Sequence, residues 1–478
     1  MPRHGPKTLT MRLLLINLPG KTRLQRRYVA SYYAPNFLIP PLELMGLGAI
    51  ARQRPAWDTR LLDCMAEGIG LERTVARLRA MRPDMLVTML GFEVCGDDLE
   101  ILARLKQELP EMKIFVFGYL PTHVPEQVLK LGGVDGIFLN EPEETFTEVL
   151  GRLERGESAA GSPGLAWVEE GEIHVGEQAP RIEDLDALPW ADHTLVRPEA
   201  YSESFMPRPT GVIMSARGCA FSCTYCVRTF GRDMRYRSAE SLAAEVAALR
   251  EQGFPHVRFL DDTLTIKRDR MVELCARLSR QDRGLTWTAL TRLDRVDADL
   301  LARMRRAGCR RLYVGVESAS PRVLDLYKKR LSLEEIREKI PMVKAAGIEV
   351  CTFFIVGAPS ETPEEIEASI SLALELEPDY IIVTRIQYWP GTDLFAAHRD
   401  KLDFNLYPTS CEPIPGHGIM THGEYMEWER KFYRRFYMRP RYVVRRVGTL
   451  MRTPADVLEG LGRLGAFVLN RGKERDFI

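Results

Sequence analysis

The segment Ser215-Ala216-Arg217-Gly218-Cys219-Ala220-Phe221-Ser222-Cys223-Thr224-Tyr225-Cys226 packs three cysteines into eight residues, directly after the apolar run Gly211 to Ala216. Three thiolates on one short loop can converge on a single soft metal centre. A four-iron cluster has four iron corners and normally takes four cysteines, so three ligands leave one iron open to a further ligand. A zinc site completed by a distant fourth residue uses the same sulfurs. Spacing alone leaves both readings open. The aromatic Tyr225 before the third cysteine, and the place of the loop after a strand, favour the cluster.

Downstream of this loop, to about Phe395, strand-like runs alternate with helical patterns. The runs are Gly211 to Ala216, His256 to Leu260, Leu285 to Leu290, Arg311 to Val316, Glu349 to Val356 and Tyr380 to Tyr388. Such alternation predicts a partial (β/α)6 barrel of the TIM type or an open sheet, and in the barrel the active site lies at the carboxyl ends of the strands. Upstream, runs at Arg12 to Asn17, Asp58 to Asp63, Asp84 to Leu90, Lys113 to Gly118 and Asp135 to Asn140 also alternate with helical patterns. They predict a doubly wound, Rossmann-like parallel sheet, whose ligands bind where the strand order reverses. The loops after Asn17, Leu90 and Gly118 are therefore the candidate rim. Between the two regions, glycine, serine and proline interrupt regularity, and Leu165 to Val168 with Ile173 to Val175 reads as a small hairpin. The expected organisation is an α/β chain with a first domain at 1–155, a connector at 156–205, a partial barrel at 206–398 and a helical, basic region at 399–478.

The chain has 478 residues, and at about 150 per domain that agrees with several units. Nine cysteines, an odd number in a long chain, suggest a reducing interior or a metal site rather than a disulfide scaffold. No stretch of 18 apolar residues occurs, and the first residues lack a signal-peptide core, so a cytoplasmic location is expected. Lysine plus arginine equals aspartate plus glutamate, 66 against 66, which gives no reason to expect a nucleic-acid partner. That balance is uneven along the chain: residues 430–478 hold 13 basic and 4 acidic residues. Arg430 to Arg452 contains nine basic residues, no acidic one, and five aromatic rings from Phe432 to Tyr442. Two readings stand for it. It can make peripheral contact with an anionic membrane at the inner face or grip an anionic substrate, or it can pack its rings on the barrel and expose its arginines.

The cysteine segment resembles the motif of the radical S-adenosylmethionine (radical SAM) enzymes, with an aromatic residue before the last cysteine. Phe259-Leu260-Asp261-Asp262-Thr263, Tyr313-Val314-Gly315-Val316-Glu317-Ser318, Ile355-Val356-Gly357-Ala358-Pro359-Ser360-Glu361-Thr362, with Ala358 and Ser360 as departures, and Pro390-Gly391-Thr392 resemble further motifs of that family. The resemblance implies a 4Fe-4S cluster on Cys219, Cys223 and Cys226. It also implies that S-adenosylmethionine is contacted by Tyr225, Asp261, Asp262, Glu317, Ser318 and Gly357, and is cleaved to a 5'-deoxyadenosyl radical. Bland readings remain for the outlying motifs: Asp261 and Asp262 can stop a strand, Glu317 can pair with one of the many arginines, and Pro390-Gly391 is an ordinary turn.

The amino-terminal region resembles the cobalamin-binding domain that precedes the barrel in one subclass of this family. The matching segments are Asn17-Leu18-Pro19, Pro40-Pro41-Leu42-Glu43-Leu44-Met45-Gly46-Leu47, Asp84-Met85-Leu86-Val87-Thr88 and the acidic turn Asn140-Glu141-Pro142-Glu143-Glu144. The implied cobalamin contacts are Asn17, Pro19, Pro41, Leu42, Glu43, Gly118, Tyr119 and Glu141. Two departures stand out: the loop from Pro19 to Asn36 lacks the histidine that ligates cobalt in many cobalamin proteins, and Tyr119 follows Gly118 where a second glycine is usual. His123 reads as a surface or nucleotide-tail contact and Cys95 as packing. The resemblance implies modification of an unactivated carbon, foremost C-methylation, on a small-molecule substrate of hydrophobic or anionic character, with a reducing electron donor. The alternatives are a non-methylating oxidative cyclase or ring-forming enzyme acting on a tetrapyrrole or isoprenoid, and a zinc-binding structural protein.

Overall fold

The computed structural model describes residues 10–21, 23–29, 31–33, 37–281, 284–406, 409–414 and 419–444. Strand β1 (Met11–Asn17) is buried from Leu13 to Asn17 and reads as an unbroken apolar run, as a strand covered on both faces must. Its alternate side chains prove the two-sided cover. Leu13 and Leu15 pack with Leu44, Leu47 and Val149, while Leu14 and Ile16 pack with Val75, Leu78 and Leu102. A small hairpin follows, β2 (Leu24–Arg26) with β3 (Ser31–Tyr33). Then come β4 (Trp57–Asp63), β5 (Met85–Met89), β6 (Lys113–Phe117) and β7 (Gly136–Phe138). They join β1 as a parallel sheet in the order β4-β1-β5-β6-β7, so the order reverses between β1 and β5. The hairpin expected in the connector forms as β8 (Leu165–Glu169) and β9 (Glu172–Val175), and it extends this first sheet as two antiparallel strands.

The β2–β3 hairpin lies in the loop that sequence patterning left without structure. It is pinned from below by Arg26, which is almost fully buried. Arg26 pairs with Asp98 at 2.7 Å and donates to Asn17 Oδ1 and to the carbonyls of Leu18 and Pro19. The hairpin thus folds back over the carboxyl end of β1.

The second sheet opens with β10 (Thr210–Ile213). The run expected from Gly211 to Ala216 continues after a break as β11 (Ala216–Arg217), which pairs antiparallel with β12 (Arg235–Tyr236). Strands β13 (His256–Phe259), β14 (Thr286–Thr291), β15 (Cys309–Glu317), β16 (Glu349–Val356) and β17 (Tyr380–Arg385) complete a six-stranded parallel sheet in sequence order, β10-β13-β14-β15-β16-β17. Successive neighbours joined by helices are the partial barrel the alternation predicts. The helices start where the chain supplies caps: Ser332 with Glu335 and Thr362 with Glu365 form capping boxes.

A partial barrel has open edges, and β17 is one of them. The helix His422–Tyr437 lies along it. Tyr433 and Tyr437, four residues apart, meet Val383 and Ile381, two residues apart: their hydroxyls accept from the two backbone amides at 3.0 Å each. Four helical residues advance about 6 Å and two strand residues about 6.6 Å, so the two ladders match. The Tyr437 and Tyr442 hydroxyls also donate to the carbonyls of Ile381 and Asp379. This contact blunts an edge that would otherwise invite another strand. The rings of the basic segment up to Tyr442 therefore face the barrel, with Phe432 and Phe436 fully buried. Lys431 and Arg435 pair with Glu367. The basic residues 445, 446 and 452 lie outside the described residues. Ahead of this helix the region also contains an antiparallel ribbon, β18 (Leu402–Leu406) with β19 (Thr409–Pro413). Among the described residues no helix is long and apolar enough to cross a membrane.

Replacing Tyr433 and Tyr437 by phenylalanine should speed hydrogen exchange at the Ile381 and Val383 amides about tenfold, the effect of losing one net hydrogen bond at each, with other strands unchanged. A second expectation concerns Glu429, which is 2 % exposed, accepts from Tyr425 Oη at 2.9 Å, and whose carboxyl is pushed by burial up to about 7. Because the folded chain then holds this proton more tightly than the unfolded chain, Glu429 weakens folding as pH rises from about 4.5 to 7. Glu429→Gln should stabilise the protein above pH 7 by at most about 3 kcal/mol and have no effect below pH 4, as read from urea unfolding across that range.

Candidate active site

The carboxyl ends of the two parallel sheets meet across a cavity of about 800 Å³. That size falls within the range of about 300–1,000 Å³ usual for small-molecule sites. The first domain contributes Arg27, Tyr28 and Val29 from the hairpin, together with Phe37, Glu43 and Glu93. The barrel contributes Tyr225 and Cys226 from the cysteine loop, Asp261 and Asp262 after β13, and largely apolar walls from Leu260 to Trp389.

The cysteine loop, residues 218–234, emerges between β11 and β12. The Thr224 amide donates to Tyr327 O at 3.1 Å and its hydroxyl to Leu326 O at 2.9 Å, so the end of the helix Pro321–Leu326 braces the loop. Cys223 is buried, with the Arg292 guanidinium 3.9 Å from its sulfur, while Cys226 faces the cavity. Arg292 also lies 3.9 Å over the Phe221 ring. Among the described residues no three histidine, cysteine, aspartate or glutamate side chains gather closely enough for one metal ion.

Tyr225 reaches Glu317, donating to Oε1 at 2.9 Å, and Lys329 Nζ donates to the same oxygen at 2.6 Å. Glu317 sits at φ +69, where non-glycine residues are uncommon, beside a register shift between β15 and β16. A side chain at Gly315 would collide with the Glu317–Lys329 pair, so the glycine keeps that space open. Glu317 thus fixes the ring just ahead of Cys226 and has its own cation, a lysine where an arginine was expected. Asp261 is buried and accepts from both the backbone and the hydroxyl of Ser215, at 3.1 and 2.7 Å, tying β13 to the strand before the cysteines. Asp262 lines the cavity beside it, and burial together with Asp261 pushes its carboxyl up to about 6. Ser318 is buried and bonded to Ser320 and Ser369, and the Gly357 amide donates to Glu361 at 2.6 Å. Of the six residues expected near S-adenosylmethionine, Tyr225, Asp261 and Asp262 line the cavity, and Glu317, Ser318 and Gly357 hold its frame.

The first-domain residues divide in the same way. Asn17 and Pro19 are engaged by Arg26, away from the cavity, and Asn17 also donates to Asp63 at 2.9 Å. Pro41 starts the helix Leu42–Arg52 by accepting from the Met45 amide, and Leu42 packs with Met45, Val212 and Leu260 across the two domains. Gly118, at φ +138, abuts the Leu90 carbonyl. Tyr119 stacks on His123 at 4.1 Å, and Gly391 of the barrel lies against both rings at φ +91, where a Cβ would collide. His123 is therefore part of the seam between the domains, and burial lowers its basicity. Cys95 is fully buried packing. Glu43 lines the cavity: Oε1 accepts from Arg27 at 3.1 Å, and Oε2 is buried without a partner. Glu141 pairs with Arg217 and Arg235 instead of facing the cavity.

Sequence patterning missed the floor of the barrel. Glu203, from the connector, accepts from Thr288 at 2.7 Å and Tyr313 at 2.6 Å, with His256 at 3.2 Å and Arg258 at 3.6 Å. Burial alone would raise its carboxyl, but Arg258, His256 and Arg311 hold it well below the ordinary range. Its only sequence signal was an acid in a segment lacking regular pattern. Arg217 and Lys329 were also missed, although Arg217 directly precedes Gly218-Cys219.

Two family models match the chain: the B12 binding domain over residues 34–150 and the Radical SAM superfamily over residues 213–373. The chain is a radical SAM enzyme with a B12-binding domain. It is 28 % identical over 444 residues to an uncharacterized methyltransferase, PH0819, of Pyrococcus horikoshii, covering 91 % of this chain and 94 % of that one. It is 27 % identical over 413 residues to the anaerobic magnesium-protoporphyrin IX monomethyl ester cyclase of Rubrivivax gelatinosus, covering 84 % and 74 %. Its fold is similar to that of the radical S-adenosylmethionine methyltransferase TsrM from Kitasatospora setae, with a TM-score of 0.67 at 18 % identity over 88 % of this chain and 83 % of that one.

For a radical SAM enzyme of this kind the implied cofactors are a 4Fe-4S cluster, S-adenosylmethionine and cobalamin, serving a small-molecule substrate and a reductant. The residues present fit them. The unpartnered Glu43 Oε2 needs a donor and the buried Trp389 Nε1, also on the cavity wall, needs an acceptor. The amide-fringed edge of cobalamin offers both.

Lys329→Met should leave Glu317 as a buried unpaired charge, costing about 3–5 kcal/mol, and Glu317→Gln added to it should recover most of the loss. The urea midpoint of the two variants checks this.

Proposed function

We propose that the chain methylates an unactivated carbon of a small-molecule substrate held in the cavity between the two sheets. One observation carries the reading: Cys226 of the cysteine loop and Glu43 and Tyr28 of the first domain line the same cavity. Cys219, Cys223 and Cys226 are assigned to the cluster, and the side of the cavity formed by Tyr225 and Asp262 to S-adenosylmethionine. Glu43, with the hairpin residues Arg27 and Tyr28, is assigned to cobalamin. Bound there, these cofactors supply one-electron cleavage of S-adenosylmethionine, hydrogen abstraction from the substrate and a methyl donor. The protein's own part is geometry. Glu317 and Lys329 orient Tyr225, Asp261 ties β13 to the residues before the cysteines, and the apolar walls exclude water. Residues 1–155 and 206–398 act as the two working domains in this assignment, with 156–205 supplying the barrel floor through Glu203.

The cavity walls favour a substrate that is apolar over much of its surface. The likeness to both a methyltransferase and an oxidative cyclase keeps ring formation as a second reading, and product mass separates the two. A product heavier by one methylene unit, labelled from methyl-labelled S-adenosylmethionine, supports methylation; loss of hydrogen or gain of oxygen points to the cyclase chemistry.

Anaerobic reconstitution with iron and sulfide should give cluster absorbance and, with reductant, 5'-deoxyadenosine from S-adenosylmethionine. Cys223→Ala should abolish both. Bound zinc and no cleavage by the unaltered chain would overturn the enzyme reading, and cleavage surviving in Cys223→Ala would overturn the ligand assignment.

A further inference from the structure

The neck of the cysteine loop is an unusual place for two arginines. Arg217 and Arg235 stand directly opposite one another as one of only two residue pairs in the β11–β12 ribbon. Like charges facing across strands repel, and so short a ribbon has little stability of its own. Much of what offsets that repulsion comes from the other domain. Glu141, in the turn after β7, bridges the two arginines, with each guanidinium 2.5 Å from one of its carboxylate oxygens. Glu143, one residue inside the helix Pro142–Glu154, takes a further bond from Arg217 at 3.2 Å. The four side chains are between 4 % and 14 % exposed, so these are shielded pairs and not surface ones. A second contact runs through the loop itself: Phe230 lies under the Arg217 guanidinium at 4.9 Å and against Tyr28 of the first-domain hairpin at 5.6 Å.

We propose that Glu141 and Glu143, with Arg217 and Arg235, are positioning residues that keep the cluster-bearing loop closed only while the first domain is docked. The proposal rests on the cluster assignment made above. Without the two carboxylates the paired arginines push the neck apart, and residues 218–234 lose their anchor at both ends. The same clasp sets the cluster loop at a fixed place on the first domain's rim, because Glu141 ends the turn leaving β7. Glu141 thus serves the cofactor site by bracing the loop across from it, in place of the direct cobalamin contact its motif suggested.

The test uses the full chain, reconstituted anaerobically, and reads the rate of iron loss to a ferrous chelator together with hydrogen exchange across residues 218–234. The isosteric double variant Glu141→Gln with Glu143→Gln should lose iron at least about tenfold faster, as expected when one side of a buried charge pair is removed. Exchange in 218–234 should rise while β1 and β16 keep their protection. Arg54→Gln, which breaks the Arg54–Glu154 pair at the far end of the same helix, should change neither readout. Iron loss within twofold of the unaltered chain would overturn the clasp. If the double variant loses protection throughout, Glu141→Gln alone takes its place; it keeps Glu143 on Arg217 but takes the shared carboxylate from between the two facing cations, and should still speed iron loss by loosening the neck. Unchanged iron loss in that variant also overturns the proposal. A chain that takes up no cluster in any form overturns the proposed function itself, which separates that failure from failure of the clasp.

Discussion

The contact between Glu141 and the facing pair Arg217 and Arg235 is where the two halves of the molecule become one site. Each half is a parallel sheet, and a parallel sheet offers its working loops at the carboxyl ends of its strands. Two such sheets can be joined in many ways that leave those edges apart. Here the turn after β7 is bonded to the strand that feeds the cysteine loop, so the rim of one sheet is fastened to the rim of the other. The apolar seam of Leu42 and Met45 against Val212 and Leu260, and the packing of Gly391 on Tyr119 and His123, then fill the interface around that fastening. Polar pairs set the register and apolar packing supplies most of the area.

Closure at the other end of the cavity follows different physics. The barrel is incomplete, and its last strand would present unpaired amides and carbonyls. Tyrosines at helical spacing meet backbone groups at strand spacing, which lets one helix satisfy an edge without adding a strand. This also accounts for a segment whose composition pointed two ways. Its rings are buried against the barrel, and several of its cations find partners on the helix Pro363–Leu376, at Glu367 and the Leu374 carbonyl, so the basic charge there is a consequence of packing as much as a surface for a partner.

Much of the fold was legible because it rests on periodicity. The unbroken apolar runs of β1, β5 and β6 and the regular return of helices announce a parallel sheet, and three cysteines after a strand mark a candidate metal loop. Choice of polar partner was not legible. Asp261 and Asp262 are adjacent, chemically identical and both on the cavity lining, yet only Asp261 is bound to Ser215, because successive residues at a strand end point in opposite directions. Asn17 and Glu141 carried motif resemblance to a cofactor site, but both answer to shielded arginines: Asn17 to Arg26 on the following hairpin, and Glu141 to Arg217 in the other domain. The β2–β3 hairpin escaped notice because three-residue strands leave almost no periodic signal, and its anchor at Asp98 lies on a later helix.

The floor and walls of the cavity suit chemistry that must be kept from water. Glu203 closes the amino-terminal end of the barrel with Thr288, Tyr313, His256 and Arg258 around it, so the charge there is compensated within the protein. Above it the walls are largely apolar until the level of Asp262 and Cys226, where polar groups gather from both domains. A reactive carbon radical formed at that level would meet hydrocarbon side chains below and the first-domain hairpin above. Shielding of this kind works only if both covers are rigid. Arg26 beneath the hairpin and the Glu317–Lys329 pair beside Tyr225 brace the two covers from within, as buried charges each held by its partner.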